Sequence, residues 1–271
     1  MPTIIDIADP EDLRVAMFRA VRERDVVGRE GGFIAEGEVV LWALARSRLY
    51  AAQCLLIAAR RVERLGPMIE RFPAEVPVYR ARQEVMDAIA GFAIHRGVLA
   101  FGRRGPSRDP ETLLAAGPEA QTVLALFGIS NHDNLGGIFR NAAAFGVAAI
   151  LLDGACCDPL YRKAIRVSVG AALNVPFARL PVGEDAIDFL RRQGFTPLAL
   201  SPAGAAALAD LGPQPPRLAV LFGAEGHGLP PTILRRAATV AIPMAQGFDS
   251  LNVATTSGIV LHHLGHARRQ A

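Results

Sequence analysis

Residues 242–266 read "IPMAQGFDSLNVATTSGIVLHHLGH". A Pro-Met pair closes a short apolar stretch, Gly247 turns the chain, Asp249 follows, and Ser250 and Asn252 precede an apolar run. Serine is a good helix N-cap, so the pattern predicts a closing helix from about Ser250 with Ser250 at its start. Asn252, two residues further in, is a poor helix former to which no capping role falls, and its amide can donate and accept at once. Such polar groups at the mouth of an apolar helix either cap and turn the chain or face a ligand. Two other polar islands bear on that choice: "ISNHDNLGGIFRNAAAFG" (129–146) and "LFGAEGHGL" (221–229).

Around these islands strand and helix patterns alternate. "TVLALFGI" reads as a strand, 135–145 as a helix, "VAAILLD" as a strand and "LYRKAIRVSVGAA" as a helix. "VPFARL", "TPLALS", "RLAVLFG" and "TVAIP" read as further strands, with "EDAIDFLRRQ" and a short segment from Pro230 as helices. Alternation of this kind builds a mostly parallel sheet whose site lies in loops at the strand C-termini. All three islands follow strands. Residues 103–118 carry Gly, Pro and charge without a long apolar period, which reads as a linker. The domains expected are 1–105, a linker at 106–118, and 119–271. In the first, helices are expected at 11–24, 60–72 and 82–92, a strand or turn running into a helix over "FIAEGEVVLWALARS", and strands at 51–58, in "VPVYRA" and in "HRGVLAFGRR".

Composition sets bounds. Half the residues are apolar and no segment is of low complexity, as in an ordered globular chain. The first residues lack the basic and apolar stretches of a secretory signal, and no apolar run reaches the ~18 residues of a membrane span, so the cytoplasm is expected and a membrane is not. The net charge of +3 permits a nucleic-acid partner without demanding one. The basic pairs Arg60-Arg61, Arg103-Arg104 and Arg191-Arg192 are scattered and read as solvated faces. Cys156 and Cys157 are adjacent and Cys54 is distant, which gives neither a disulfide framework nor a zinc spacing. They read as buried thiols. His262, His263 and His266 lack a carboxylate partner in sequence, so no metal is expected.

The first island offers Asn131, Asp133 and Asn134 in a loop, Gly136-Gly137, and Arg140 read as projecting from the first turn or so of a helix. A helix N-terminus favours an anion and an Arg fork suits phosphate; the same residues also fit ordinary capping by Asn131 or Asn134. The second island places Glu225 among glycines that permit close backbone approach. It is neither G-x-x-x-x-G-K-[ST] nor G-x-G-x-x-G, and it fits a surface turn as well as a site. No G-x-S-x-G elbow occurs.

Taken together and in order, the islands closely resemble the signature motifs of the SpoU (TrmH) family of SPOUT-superfamily RNA methyltransferases. Asn134 stands six residues before Arg140 as in the first motif, "GAEGHGL" matches the second and "IPMAQGFDSLNV" the third. The N-terminal part, with "FIAEGE" and "HRGVLAFGRR", looks like the L30e-like RNA-binding domain that precedes many such catalytic domains. The resemblance implies an α/β/α SPOUT catalytic domain with a deep C-terminal trefoil knot, a homodimer whose active site draws on both protomers, and S-adenosylmethionine as cofactor. It implies methylation of a ribose 2′-hydroxyl, in rRNA over tRNA. The cofactor residues it implies are Phe222, Gly223, Ala224, Gly226, Ile242, Pro243, Met244, Leu251 and Asn252. Arg140, Asn134, Glu225, Ser250 and Asn252 are the implied catalytic set, with Arg140 positioning and polarising the ribose–phosphate. One departure stands out: the family usually continues "SLNVS", and here Ala254 takes that place, with Thr255, Thr256 or Ser257 as stand-ins one turn on. Two other readings stay open, an RNA-binding factor that keeps the fold without catalysis and a tRNA-directed enzyme.

Overall fold

In this computed structural model, residues 1–19, 31–246 and 248–270 are described, the side chains of 266–270 excepted. The second half of the helix expected at 11–24, the turn at Gly247 and the His266 side chain lie outside them. The chain forms two compact units, one of Met1–Pro106 with Pro159–Asn174, the other of Ser107–Asp158 with Val175–Ala271.

The first unit is built on a five-stranded mixed sheet. Its strands are β1 (Ile4–Ile7), β2 (Gly32–Glu36), β3 (Ala52–Ala58), β4 (Val78–Ala81) and β5 (Val98–Arg103), in the order β1-β4-β3-β5-β2. β3 lies parallel to β4 and antiparallel to β5. Over 11–24 the described residues form only a 3₁₀ helix, Leu13–Phe18, after which Arg19 is extended. Its two buried residues, Val15 and Phe18, stand three apart, the spacing that a 3₁₀ helix places on one face. The helix expected at 60–72 is two single turns, Ala59–Val62 and Gly66–Ile69. Pro67 has no N–H to carry the first into the second.

The second unit holds seven parallel strands: β6 (Gln121–Leu126), β7 (Ala149–Leu152), β8 (Phe177–Arg179), β9 (Thr196–Leu200), β10 (Ala206–Ala207), β11 (Arg217–Phe222) and β12 (Ala238–Ala241). Their order is β10-β12-β9-β11-β6-β7-β8. β6, β7 and β11 are continuous apolar runs, as expected of strands covered on both faces; from Leu124 through Leu126, from Ile150 through Leu152 and from Leu218 through Leu221 every residue is fully buried. Pro197 sits in β9, where a lost N–H would break a ladder. It is tolerated because β12 pairs only from Leu198 onward. The α/β class and the mainly parallel second sheet agree with the sequence reading. The two-residue strand β10, too short to carry a period, was not legible.

Two further differences concern organisation. The stretch read as linker contains the helix Pro110–Ala115, where the Asp109 carboxylate accepts from Thr112 N–H and Pro110 opens the helix, the usual start signals. Residues 159–174 belong to the first unit, although the strands before and after them, β7 and β8, belong to the second. No described helix is long and apolar enough to cross a membrane.

Leu124, fully buried at the centre of β6, tests the packing. Leu124→Ala is expected to cost about 2–5 kcal/mol, read from urea unfolding. A loss of only about 0.5 kcal/mol, typical of surface sites, would contradict the assigned core position.

Candidate active site

The three islands meet. The helix His132–Ala144 is capped by Asn131, whose Oδ1 accepts from Asp133 N–H at 2.7 Å and more weakly from Asn134 N–H at 3.4 Å. The loop that leads into it is pinned from below. Gly128, at φ 66°, donates its N–H to both carboxylate oxygens of Asp153 at 3.1 Å, and the Arg179 guanidinium donates to the carbonyls of Asp153 and Cys156. Asn134, 7% exposed, turns its Oδ1 towards the start of the closing helix, Val253–Gln270.

Asn252 is the N-cap of that closing helix. Its Oδ1 accepts from Ala254 N–H at 2.9 Å and Thr255 N–H at 3.3 Å. The reading that gave the cap to Ser250 and none to Asn252 is therefore corrected. The helix begins three residues later than Ser250, which is exposed. With the oxygen used in capping, Nδ2 donates to Asn134 Oδ1 at 2.8 Å and Glu225 Oε1 at 3.0 Å. Glu225 stands on a tight loop in which Gly228 N–H returns to the Ala224 carbonyl at 2.9 Å. A Cβ on Gly223 would come within 2.1 Å of the Gly228 backbone, so only glycine closes this loop.

The two helices cross closely. A Cβ on Gly137 would meet Ala254 Cβ at 2.7 Å, and Asn141 Nδ2 donates to the Ala254 carbonyl at 2.7 Å and to Ser257 Oγ at 2.9 Å. Ser257 is fully buried. Small Ala254 thus belongs to the helix crossing, and the hydroxyl at this crossing is supplied by Ser257, one turn further on.

Arg140 is not brought to this cluster. It lies in the third turn of its helix, not the first, exposed and without a hydrogen bond or ion pair to a described residue. Six residues of α-helix carry it roughly 120° around the axis and about 9 Å along it from Asn134.

Beside the cluster opens a cavity of about 640 Å³, between the ends of β9, β11 and β12. Of the residues singled out in the sequence, Phe222, Gly223, Ala224, Gly226, Ile242, Met244, Leu251 and Asn252 line it, as do Glu225 and Ser250; Pro243 does not. The wall formed by Leu200, Ser201 and Pro202 was missed. Its only signal was the Ser-Pro-Ala-Gly turn directly after a strand.

The cysteines are not nucleophiles. Burial raises the thiols of Cys54 and Cys156 to about 12 and that of Cys157 to about 11, with the Asp153 charge adding to the rise at Cys156. Among the described residues no group of His, Cys, Asp and Glu could hold a metal ion.

Two outcomes follow. The buried thiols of Cys54 and Cys156, raised to about 12, are expected to react with a disulfide reagent only as fast as the chain unfolds, after half-buried Cys157; immediate labelling of more than one thiol would contradict their burial. Asn252→Asp keeps the helix cap but replaces both donors with a carboxylate facing Glu225. A loss of roughly 1–3 kcal/mol is expected at neutral pH. Paired carboxylates raise the pKa of one of them, so the penalty is present when both are ionised and relieved as pH falls. Thermal melts of both proteins across pH would show this, and a gap that fails to narrow on acidification would separate the two side chains.

Residues 121–262 match the SpoU rRNA Methylase family. A tRNA/rRNA methyltransferase of Mycobacterium bovis, itself uncharacterized, is 39% identical over 96% of this chain and 93% of its own. The AdoMet-bound rRNA methyltransferase of Sinorhizobium meliloti superposes with a TM-score of 0.78 at 26% identity, over 98% of each chain. An RNA 2′-O ribose methyltransferase shares the fold with a TM-score of 0.79 at 23% identity, over 98% of this chain and all of its own. Motif order, fold and relatives agree, and the chain belongs to the SpoU rRNA methylase family.

Proposed function

We propose that the protein transfers a methyl group from S-adenosylmethionine to a ribose 2′-hydroxyl of RNA, rRNA rather than tRNA, as a cytoplasmic homodimer. The observation that carries this reading is the meeting of Asn134, Glu225 and Asn252 at the mouth of the cavity. The AdoMet-bound relative supports the cofactor, the family description supports rRNA, and the fold shared with a ribose 2′-O enzyme accords with the chemistry.

The cavity suits the cofactor. Its volume lies within the ~300–1,000 Å³ of small-molecule sites. Phe222, Leu229 and Ile242 offer apolar walls to an adenine, and Gly223 and Gly226 bare the backbone for hydrogen bonds. Glu225, Ser201 and Thr256 add polar groups suited to hydroxyls and an ammonium. When bound, S-adenosylmethionine supplies an electrophilic methyl on its sulfonium.

The chain's own residues bind and orient. Leu251 and Met244 close the apolar side, and Asn252, fixed by four hydrogen bonds, holds Glu225 and Asn134 in one arrangement. Ser250 faces the same cavity with its hydroxyl uncommitted. Arg140 acts as a fork on the phosphate and polarises the neighbouring hydroxyl. Alignment of this kind can supply ~7 kcal/mol or more of barrier lowering.

Arg140 points away from its own Asn134 face, so it would complete the site of a second copy. The apolar Phe145 and Ile259, exposed at 38% and 39% on the same two helices, are the surface a dimer would cover. The strand order, with β11 laid between β6 and β9 and the chain then passing beyond β9 to β12, supports the deep C-terminal trefoil knot. The L30e-like character of the first unit is part of the same proposal.

The test is transfer of labelled methyl from S-adenosylmethionine to unmodified rRNA and tRNA pools, read as nuclease-resistant dinucleotides. Label in rRNA is expected. Arg140→Ala is expected to abolish transfer while calorimetry still detects cofactor binding, and unchanged turnover would remove Arg140 from the mechanism.

A further inference from the structure

The cavity of the second unit has a charge opposite to that of the chain. The sequence carries 29 arginines and lysines against 26 aspartates and glutamates. Yet the described residues that line the cavity include two carboxylates, Glu225 and Asp249, and no arginine or lysine. Arg235 and Arg236 directly follow Leu234, which lines it, and neither is part of the wall. Arg236 is instead held by Asp185 and Asp188. His227 is the remaining titratable side chain on the lining.

The two carboxylates are not equivalent. Glu225 accepts from Asn252 Nδ2 at 3.0 Å and lies beside the N-terminus of the closing helix, whose partial positive charge offsets it. Asp249 has no such donor. Its side chain is exposed and makes no hydrogen bond or ion pair with a described residue. The segment that carries it is held on both sides, by Phe248 N–H donating to the Ala245 carbonyl at 3.2 Å and by the Asn252 cap. A carboxylate without a partner, at a cavity with apolar walls, leaves a negative potential there.

Such a potential selects a cation. S-adenosylmethionine carries a sulfonium and an ammonium against one carboxylate, a net positive charge. Transfer joins the methyl carbon to the ribose oxygen, breaks its bond to sulfur with the electron pair left on sulfur, and releases the hydroxyl proton to water. The product, S-adenosylhomocysteine, keeps the ammonium and the carboxylate and has no net charge. The two forms share every hydrogen-bonding group, so selection between them, a difference of affinities, falls to the charge on sulfur and one methyl. We propose that Asp249 is the charge-selective residue of this cavity. Its carboxylate favours the sulfonium over the neutral thioether, so that fresh cofactor displaces the used form. The inference rests on the reading of the protein as a methyltransferase that uses S-adenosylmethionine.

The experiment is isothermal titration calorimetry of the full chain with S-adenosylmethionine, S-adenosylhomocysteine and sinefungin, an analogue with a protonated amine in place of the sulfonium. The wild type is compared with Asp249→Asn and Asp249→Glu. Asp249→Asn is expected to weaken both cations roughly two- to fivefold, the worth of an exposed charge pair, and to leave the thioether unchanged. Asp249→Glu is expected to keep the wild-type preference. For the wild type, raising KCl is expected to weaken both cations and not the thioether, because salt screens an exposed charge. The melting temperature without ligand, which reports folding, is expected to stay at the wild-type value in both variants. If Asp249→Asn weakens all three ligands alike or none of them, or if salt acts on all three alike, the charge selection is overturned and the methyltransferase reading stands. A wild type that binds none of the three overturns both.

Discussion

The amide of Asn252 is the joint on which the second unit's site depends. It has two donors and two acceptor positions, and all four are used: the oxygen by two backbone N–H groups of the closing helix, the nitrogen by Asn134 and Glu225. This use fixes which way the amide faces, because the reversed group would set N–H against N–H and oxygen against carboxylate. It also makes the cap and the site one object. The helix N-terminus that Asn252 satisfies carries partial positive charge, which favours the carboxylate of Glu225 held beside it. Aspartate or serine would cap equally well; neither could cap and also donate twice.

What surrounds that joint is shaped by absences of side chain. Gly137 lets the closing helix approach until Ala254 touches the 132–144 helix, and Gly223 lets one loop backbone pass against another. Asn141 and fully buried Ser257 then satisfy each other inside the crossing, where an unpaired polar group would be costly. The cavity is open because its neighbours are closed: tight helix packing on one side and a self-bonded loop on the other hold its walls apart without a side chain filling it.

Much of this was legible. The sheet strands of the second unit are apolar runs bounded by turns, so β6, β7, β9, β11 and β12 could be read to within a few residues, as could the islands that follow them. The failures have physical causes. The cap was assigned to Ser250 because serine is the commoner capping type, but helix starts are set by which side chain reaches the free N–H groups, and that depends on the loop before it. Arg140 was placed in the first turn or so because the helix was expected from residue 135, with Asn131, Asp133 and Asn134 in the loop before it; the helix starts at His132. Gly137, inside that helix, serves the crossing with Ala254 through its lack of a side chain. Leu200 to Pro202 were missed because a cavity wall needs no special residue type, only a place at the end of a strand.

The hardest feature to read from the sequence was the membership of residues 159–174. Their periodicity is that of any crossover between two parallel strands, and β7 and β8 do pair in parallel. Yet Leu160, Ala164 and Ile165 are fully buried in the first unit, Ser47 donates to the Leu173 carbonyl, and Gly170 lacks the Cβ that would strike Ala43. The chain therefore passes between the units three times, after residues 106, 158 and 174. Within residues 159–174, Arg162 donates from Nη1 to the Glu36 carboxylate, buried at the end of β2, at 2.8 Å. Such a charge costs far more alone than it returns when paired. The insertion thus supplies the partner that makes a buried Glu36 tolerable, so an ion pair of the first unit is completed by sequence that lies between two strands of the second.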